Sequence, residues 1–289
     1  MITKIKTMLL AVMPLAGMAQ EKAAPEVFTD KVGVYEVVLL LENQGQGNTS
    51  ILIGATPEMI SQTIPNGNYP NAVNAFLVKT PKGNILIDTG FGRNLKKNLA
   101  EAGITPEQIN TLIITHAHGD HIGGMLTAEG QRAFPNAQLV MSNTEKDYWV
   151  DTKQQESMIR AYDAYKNNVQ LIQPVEPENA TGDGIFHIDA PGHTPGHIAV
   201  LLRSKGEQML ICGDLTHAMA IQIPYPQVSV TYDTDPALAA KTRKHILKFV
   251  SDRNIPIAGM HIAYPGMGNV EEIGTESYSF TPMSLPSGR

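Results

Sequence analysis

A chain of 289 residues with 42 % hydrophobic and 17 % charged residues has enough apolar material for a sizeable core, which excludes a disordered polymer. Its 28 acidic against 22 basic residues give a formal charge of −6. With no Lys/Arg cluster the chain lacks the electrostatic footprint that grips phosphate backbones, so composition argues against nucleic acid and against an anionic membrane surface. A single cysteine, Cys212, rules out an intramolecular disulfide, and its apolar neighbours predict a buried strand thiol rather than a nucleophile.

In chain order, Lys4 and Lys6 precede the apolar run Met8 to Met13, and Gly17-Met18-Ala19 offers small residues for cleavage. That order predicts a secretory signal peptide over residues 1–19, cut after Ala19, whose apolar run is too short to stay in a bilayer. Its loss leaves 20 basic against 28 acidic residues, a charge of −8, and the expected location is periplasmic or secreted. No later segment reads as transmembrane.

Val32 to Leu41 reads as a strand. Glu42 to Ser50, rich in Gly, Asn and Gln, reads as a loop before Ile51 to Ile53, and Ser61 to Asn71 as a second exposed loop. Ala75 to Lys79 and Asn84 to Ile87 are strands joined by Pro81-Lys82-Gly83, followed by a helix over Leu95 to Ala102 and a turn capped by Thr105 with Pro106 at its first position. The β-branched run Thr111 to Thr115 is a buried strand that opens directly into His116-Ala117-His118-Gly119-Asp120-His121. Ala137 to Met141 is a strand, and Ser142 with Glu145 forms a capping-box pattern for a helix through Trp149. A helix over Glu156 to Asn168 and a loop from Gln173 to Gly184 follow. Strands come next at Ile185 to Ile188, Ile198 to Leu202 and Met209 to Cys212. Asp235-Pro236 opens a helix to about Asp252, and Ile257 to Met260 is a last strand. Strands interleave with helices and no long linker intervenes. The economical architecture is therefore two mixed sheets packed together with helices outside, an α/β (α+β) four-layer αββα sandwich forming a single domain over residues 27–289.

The chemistry lies at strand ends. Three of the nine histidines fall in one six-residue window. On an irregular loop His116 and His118 can face one ion while Asp120 and His121 face a second. Imidazole with carboxylate suits zinc, with iron, manganese and cobalt as competitors. His193 in Pro191-Gly192-His193-Thr194-Pro195-Gly196-His197, Asp214 after Cys212-Gly213, and His261 after the last strand repeat this placement. His197, in a tight Pro/Gly turn, is read as structural.

With these residues the chain resembles the metallo-β-lactamase superfamily, from about Ala72 to Val270 and including Asp88-Thr89-Gly90. The resemblance implies that fold and two Zn2+ ions, with other divalent metals possible. It implies that His116, His118 and His193 bind the first metal, that Asp120, His121 and His261 bind the second, and that Asp214 bridges both. It also implies a metal-bridging hydroxide as nucleophile, Asp120 orienting or accepting its proton, and Asp88 hydrogen-bonding a ligand histidine. Phe134-Pro135-Asn136-Ala137, Glu145 to Trp149, Gly213 to His217 and His261 to Gly266 look closest to the branch that includes methyl parathion hydrolase and related lactonases. From that branch Trp149, joined by Phe91 and Tyr264, is expected to line the substrate pocket. His217 stands where lactonases commonly carry Tyr and is expected to donate to a substrate oxygen. The expected function is hydrolysis of a small-molecule ester, lactone or phosphotriester, by a chain compatible with homo-oligomers. A periplasmic β-lactamase is the narrower alternative, although the best-known β-lactamases generally lack an Asp at the position of Asp214. A non-catalytic metal-binding protein on the same scaffold is the other.

Overall fold

A computed structural model describes residues 27–284. The signal-peptide reading lies outside them. The first sheet runs β1 (Val27–Val32), β2 (Tyr35–Asn48), β4 (Asn68–Thr80), β5 (Gly83–Ile87), β6 (Ile109–Ile113), β7 (Gln138–Ser142) and β8 (Val169–Ile172), in that spatial order. Its pairs are antiparallel as far as β5 and parallel from β5 to β8. The second sheet holds β9 (Gly184–Asp189), β10 (Ile198–Ser204), β11 (Glu207–Ile211), β13 (Ile257–Ala258), β14 (Met267–Gly274) and β15 (Ser277–Pro282). A separate pair joins β3 (Leu52–Ile53) to β12 (Ser229–Val230). The longer helices are α2 (Leu95–Glu101), α5 (Glu156–Tyr165) and α7 (Pro236–Asp252). α1 (Pro57–Thr63) equals α2 in length, and the shorter ones are α3 (Gly119–Ile122), α4 (Asn143–Lys146) and α6 (Met219–Gln222). No helix among the described residues is long and apolar enough to cross a membrane.

Strand parity explains the layering, because successive side chains point to opposite faces. Val37 and Leu39 of β2 meet Phe76, Ile113, Val200 and Ile211 between the two sheets. Their neighbours Val38 and Leu40 face the other way, packing with Leu112 against Leu95 and Leu99 of α2 and Met158 and Tyr165 of α5. In the second sheet Ala199, Leu201 and Leu210 turn outward onto Ile246, Leu247 and Val250 of α7. Three apolar strata thus separate four layers, and each fully buried Leu, Ile or Val contributes about 1.5–3 kcal/mol relative to exposure.

The structure differs from the sequence reading in several places. Residues 42–48 and 68–71 are strand, not loop: β2 and β4 stay paired out to Asn48 opposite Asn68, past a bulge between Leu41 and Asn43. Gly, Asn and Gln weaken the local signal, yet the backbone ladder satisfies itself in the hairpin. Buried Tyr69 and Ile64 tether that arm to Ala218, Ile221 and Val228. Part of the second supposed loop is α1, capped by Thr56 with Pro57 in the first turn. The Ser142 hydroxyl does cap α4, but the chain then enters a π-helical turn, Asp147–Thr152, which carries Trp149. The strands β8, β14 and β15 escaped the reading because their partly exposed residues dilute the apolar pattern.

Candidate metal centre

Parallel strands deliver the candidate residues to one edge of the sandwich. Asp88 follows β5, His116 to His121 follow β6, Asp214 follows β11 and His261 follows β13, while His193 sits in the turn before β10. Open α/β sheets place their chemistry at these carboxyl ends. The ligating atoms of His116, His118, His193 and Asp214 lie within 4.8 Å of one another, as do those of Asp120, His121 and His261.

In the first group, His116 Nε2, His118 Nδ1 and His193 Nε2 converge at 3.0–3.2 Å. Their hydrogen-bond partners decide which atoms carry protons. The Thr115 hydroxyl donates to Asp88 Oδ2 at 2.6 Å, so it accepts from His116 Nδ1, leaving Nε2 with a bare lone pair. His193 Nδ1 donates to Asp233 Oδ1 at 2.9 Å, leaving its Nε2 bare as well. Two lone pairs facing each other at 3.2 Å repel unless a cation lies between them. Ligands on a tetrahedral zinc with bonds of about 2.0–2.1 Å stand roughly 3.3 Å apart, close to the observed spacing. Burial holds His116 well below the usual imidazole range, His118 at about 4 and His193 at about 3. All three are therefore neutral donors near neutrality.

The second group follows the same logic with different anchors. His121 Nδ1 donates to Asp88 Oδ2 at 2.7 Å and His261 Nδ1 to the Ala72 carbonyl at 2.8 Å. Their Nε2 atoms then face carboxylate oxygens: His121 stands 3.2 Å from Asp214 Oδ1, and His261 stands 3.0 Å from Asp214 Oδ2 and 3.4 Å from Asp120 Oδ2. His121 Nε2 and Asp214 Oδ1 are buried without a hydrogen-bond partner. A ring nitrogen opposite an anionic oxygen calls for a positive charge between them, a proton or a metal ion, and the donor set fits a divalent metal. Burial opposes charge on His121 and His261, yet Asp214 and its neighbouring carboxylates outweigh it and raise both. Burial likewise opposes the Asp214 carboxylate, and the imidazoles of His121, His261, His217 and His116 overcome it, holding the pKa well below the usual range.

His217 closes the constellation. Its Nε2 lies 3.0 Å from Asp214 Oδ2, and its ring stacks on His261 with centroids 4.3 Å apart. Above the centre opens a cleft of about 490 Å³ floored by His118, Asp120, His217 and His261 and walled by Asn43, Gln46, Asn71, Val73, Phe91 and Tyr232. Phe91 and Tyr232 are 41 % and 54 % exposed at its mouth. No lysine or arginine is among the described residues that line it.

Of the three aromatic pocket candidates, only Phe91 lines this cleft. Trp149 is instead half-buried and edge-on to His118 with ring centroids 5.4 Å apart, its indole N–H drawn down to the Glu145 carboxylate. Tyr264 packs edge-on against Phe28 beside the inter-sheet stratum. His197 has a structural part: its Nδ1 bonds the Ala190 carbonyl and its Nε2 accepts the Asp214 amide at 2.9 Å. Sequence reasoning missed Asp233, which orients His193, and Tyr232, 5.6 Å from the His217 ring. It also missed the wider contacts of Glu145, read there as part of a cap and as the first residue of a matching segment.

Comparison with known proteins shows the family and the fold. The family model described as metallo-beta-lactamase superfamily matches residues 68–258. The solved structure of AidC, described as a dizinc quorum-quenching lactonase with a product bound, superimposes with TM-score 0.81 at 24 % identity, covering 90 % of this chain and 98 % of that one. AbOPH, described as a hydrolase in the beta lactamase superfamily, gives TM-score 0.81 at 25 % identity, covering 92 % and 100 %. Among curated proteins, hydroxyacylglutathione hydrolase of Photobacterium profundum is 28 % identical over 130 residues, 45 % of this chain and 41 % of that protein. N-acyl homoserine lactonase of Bacillus cereus is 23 % identical over 179 residues, 53 % and 67 %. The chain spans about half the length of the first of these curated relatives. Because the family model covers well over half of the 289 residues and its span contains the first six of the seven candidate ligands, the chain belongs to the metallo-beta-lactamase superfamily.

Proposed function

We propose that the protein is a dinuclear metallohydrolase that opens an uncharged lactone or cleaves a neutral carboxylic ester or phosphotriester. The observation that carries this reading is Asp214, whose Oδ1 faces His121 while its Oδ2 lies between His193 and His261, so one carboxylate serves both ligand groups. His116, His118 and His193 would hold one ion, and Asp120, His121 and His261 the other, zinc being the metal that the donor set favours. When bound, such ions supply Lewis acidity and an activated water.

The remaining roles belong to side chains. Asp120, 23 % exposed on the cleft floor, would accept a proton from the attacking water. His217, on the cleft floor, would donate to the substrate oxygen. Phe91 and Tyr232 offer apolar faces to the acyl or ester group, and Asn43, Gln46 and Asn71 offer neutral amides. Arg93, whose guanidinium lies 5.1 Å from the Phe91 ring, is not on the cleft wall. A wall without a cation disfavours a β-lactam, whose carboxylate would go unpaired, and an open cleft over the ligands disfavours a purely structural metal site. AidC, described with bound N-hexanoyl-homoserine product, makes lactones the first substrates to try. We further propose that residues 1–19 direct export, so that the mature protein begins at Gln20; N-terminal sequencing of the exported protein tests this.

The test of function is metal analysis joined to a substrate panel. Two ions per chain are expected, with hydrolysis of neutral lactones, aryl esters or phosphotriesters abolished by chelation and restored by zinc. A chain that takes up no metal under replete conditions, or that prefers β-lactams, refutes the reading.

A further inference from the structure

Glu145 is fully buried, and no described cation pairs with it. Its carboxylate is instead saturated by four donors. Oε1 accepts from the Ala117 amide at 2.9 Å and from the Trp149 indole. Oε2 accepts from the Thr194 hydroxyl at 2.7 Å and the Gly196 amide at 3.0 Å. A second stitch runs alongside, for the Ser142 hydroxyl donates to the Gly196 carbonyl at 2.7 Å. The approach is so close that a Cβ on Gly196 would lie 2.1 Å from the Glu145 nitrogen, which leaves no room for a side chain there.

The donors are distributed with a bias. Ala117 lies between His116 and His118, Thr194 immediately follows His193, and Trp149 packs edge-on against His118. None of the four comes from Asp120, His121 or His261, and the two histidines of that group are anchored instead through Asp88 and the Ala72 carbonyl. One buried anion therefore joins the two loops that must converge for three nitrogens to meet. Groups that orient metal ligands commonly change affinity by about 10–100-fold when removed.

We propose that Glu145 is a positioning residue that sets the convergence of His116, His118 and His193, and so controls the affinity of that metal site selectively. This rests on the two-site reading above. Glu145→Gln keeps the shape but turns an NH2 group either against the Ala117 and Trp149 N–H donors, losing both bonds, or against the Gly196 amide and the Thr194 hydroxyl, of which only the hydroxyl can turn to accept.

The experiment measures zinc affinity by chelator competition, with the visible spectrum of the cobalt form as a second readout, in two backgrounds. In His261→Ala, where the remaining ion sits on the three histidines, Glu145→Gln should weaken binding at least about tenfold and alter the cobalt spectrum. In His193→Ala, where the remaining ion sits on Asp120, His121 and His261, it should change affinity less than about twofold. Thr194→Val, which removes a single donor, should show the same bias at smaller size and serves if Glu145→Gln does not fold. Equal weakening in both backgrounds, or none in either, overturns the proposal while leaving the two-site reading intact. Absence of metal from the native protein overturns both.

Discussion

Asp214 Oδ2 has the nitrogens of His217, His261, His193 and His116 at 3.0, 3.0, 3.3 and 3.6 Å, so removing its carboxylate leaves four imidazoles around an unfilled space. Asp214→Ala should lower kcat/KM by about a thousandfold or more, the scale expected for loss of a charge that organises the reacting centre. Cys212, two residues away, points into the stratum under α7, and Cys212→Ala should leave kcat/KM within a few-fold. Steady-state kinetics on both variants, with circular dichroism as the folding control, check this; greater damage from the cysteine change would contradict the proposed role of Asp214. The seven candidate ligands were legible in the sequence because they cluster in one window or terminate apolar runs. Asp233 and Glu145 were not, because their contacts reach 40 and 51 positions along the chain and no local spacing encodes such a meeting.

The arm made by the outer halves of β2 and β4 shows where element-level reading stops. Its residues carry little apolar alternation, so the sequence pattern is that of a loop, whereas the alternating strata of the two sheets were readable from Val37 to Leu40 and from Ile198 to Leu202. What holds the arm is Tyr69, buried against the segment that follows His217, with Gly47 bare because a Cβ there would meet the ring at 2.4 Å. Tyr69→Ala should cost about 3–5 kcal/mol locally, as other large-to-small aromatic truncations do. Hydrogen exchange should then accelerate across residues 43–48 while Val38 to Leu40 stay protected, and KM should rise as the cleft wall loosens. Unchanged exchange in the arm would show that Tyr69 does not secure it.

Across the whole molecule, burial fixes the response to alkali. Cys212 is pushed up to about 12 by burial and then by Asp214. Tyr69 and Tyr165 are likewise raised to about 12, mainly by burial. Unfolded thiol and phenol groups release protons near about 8.5 and 10. Between about pH 9 and 12 the unfolded chain therefore loses protons that the native state keeps. Stability from these groups is present below the unfolded values and is lost as pH rises towards 12. The denaturant midpoint should fall from pH 8 to pH 10.5, and Tyr165→Phe should flatten the slope; a midpoint independent of pH would refute the account. The layered architecture was legible because two helix-bearing halves lack a linker, but the count of strands was not, since β8 and the β14–β15 hairpin are stabilised by pairing rather than by pattern.

The arm described above also separates two inheritances. Asn43 and Gln46 face solvent and neither bonds a buried group, so exchanging them should alter folding free energy by no more than about 0.5 kcal/mol. Beneath them the candidate ligands His116, His121, His193 and His261 are bound into buried hydrogen-bond chains that tolerate no such drift. Under the proposed reading, selection can therefore rewrite which molecule enters the cleft, one exposed amide at a time, without touching the candidate ligands.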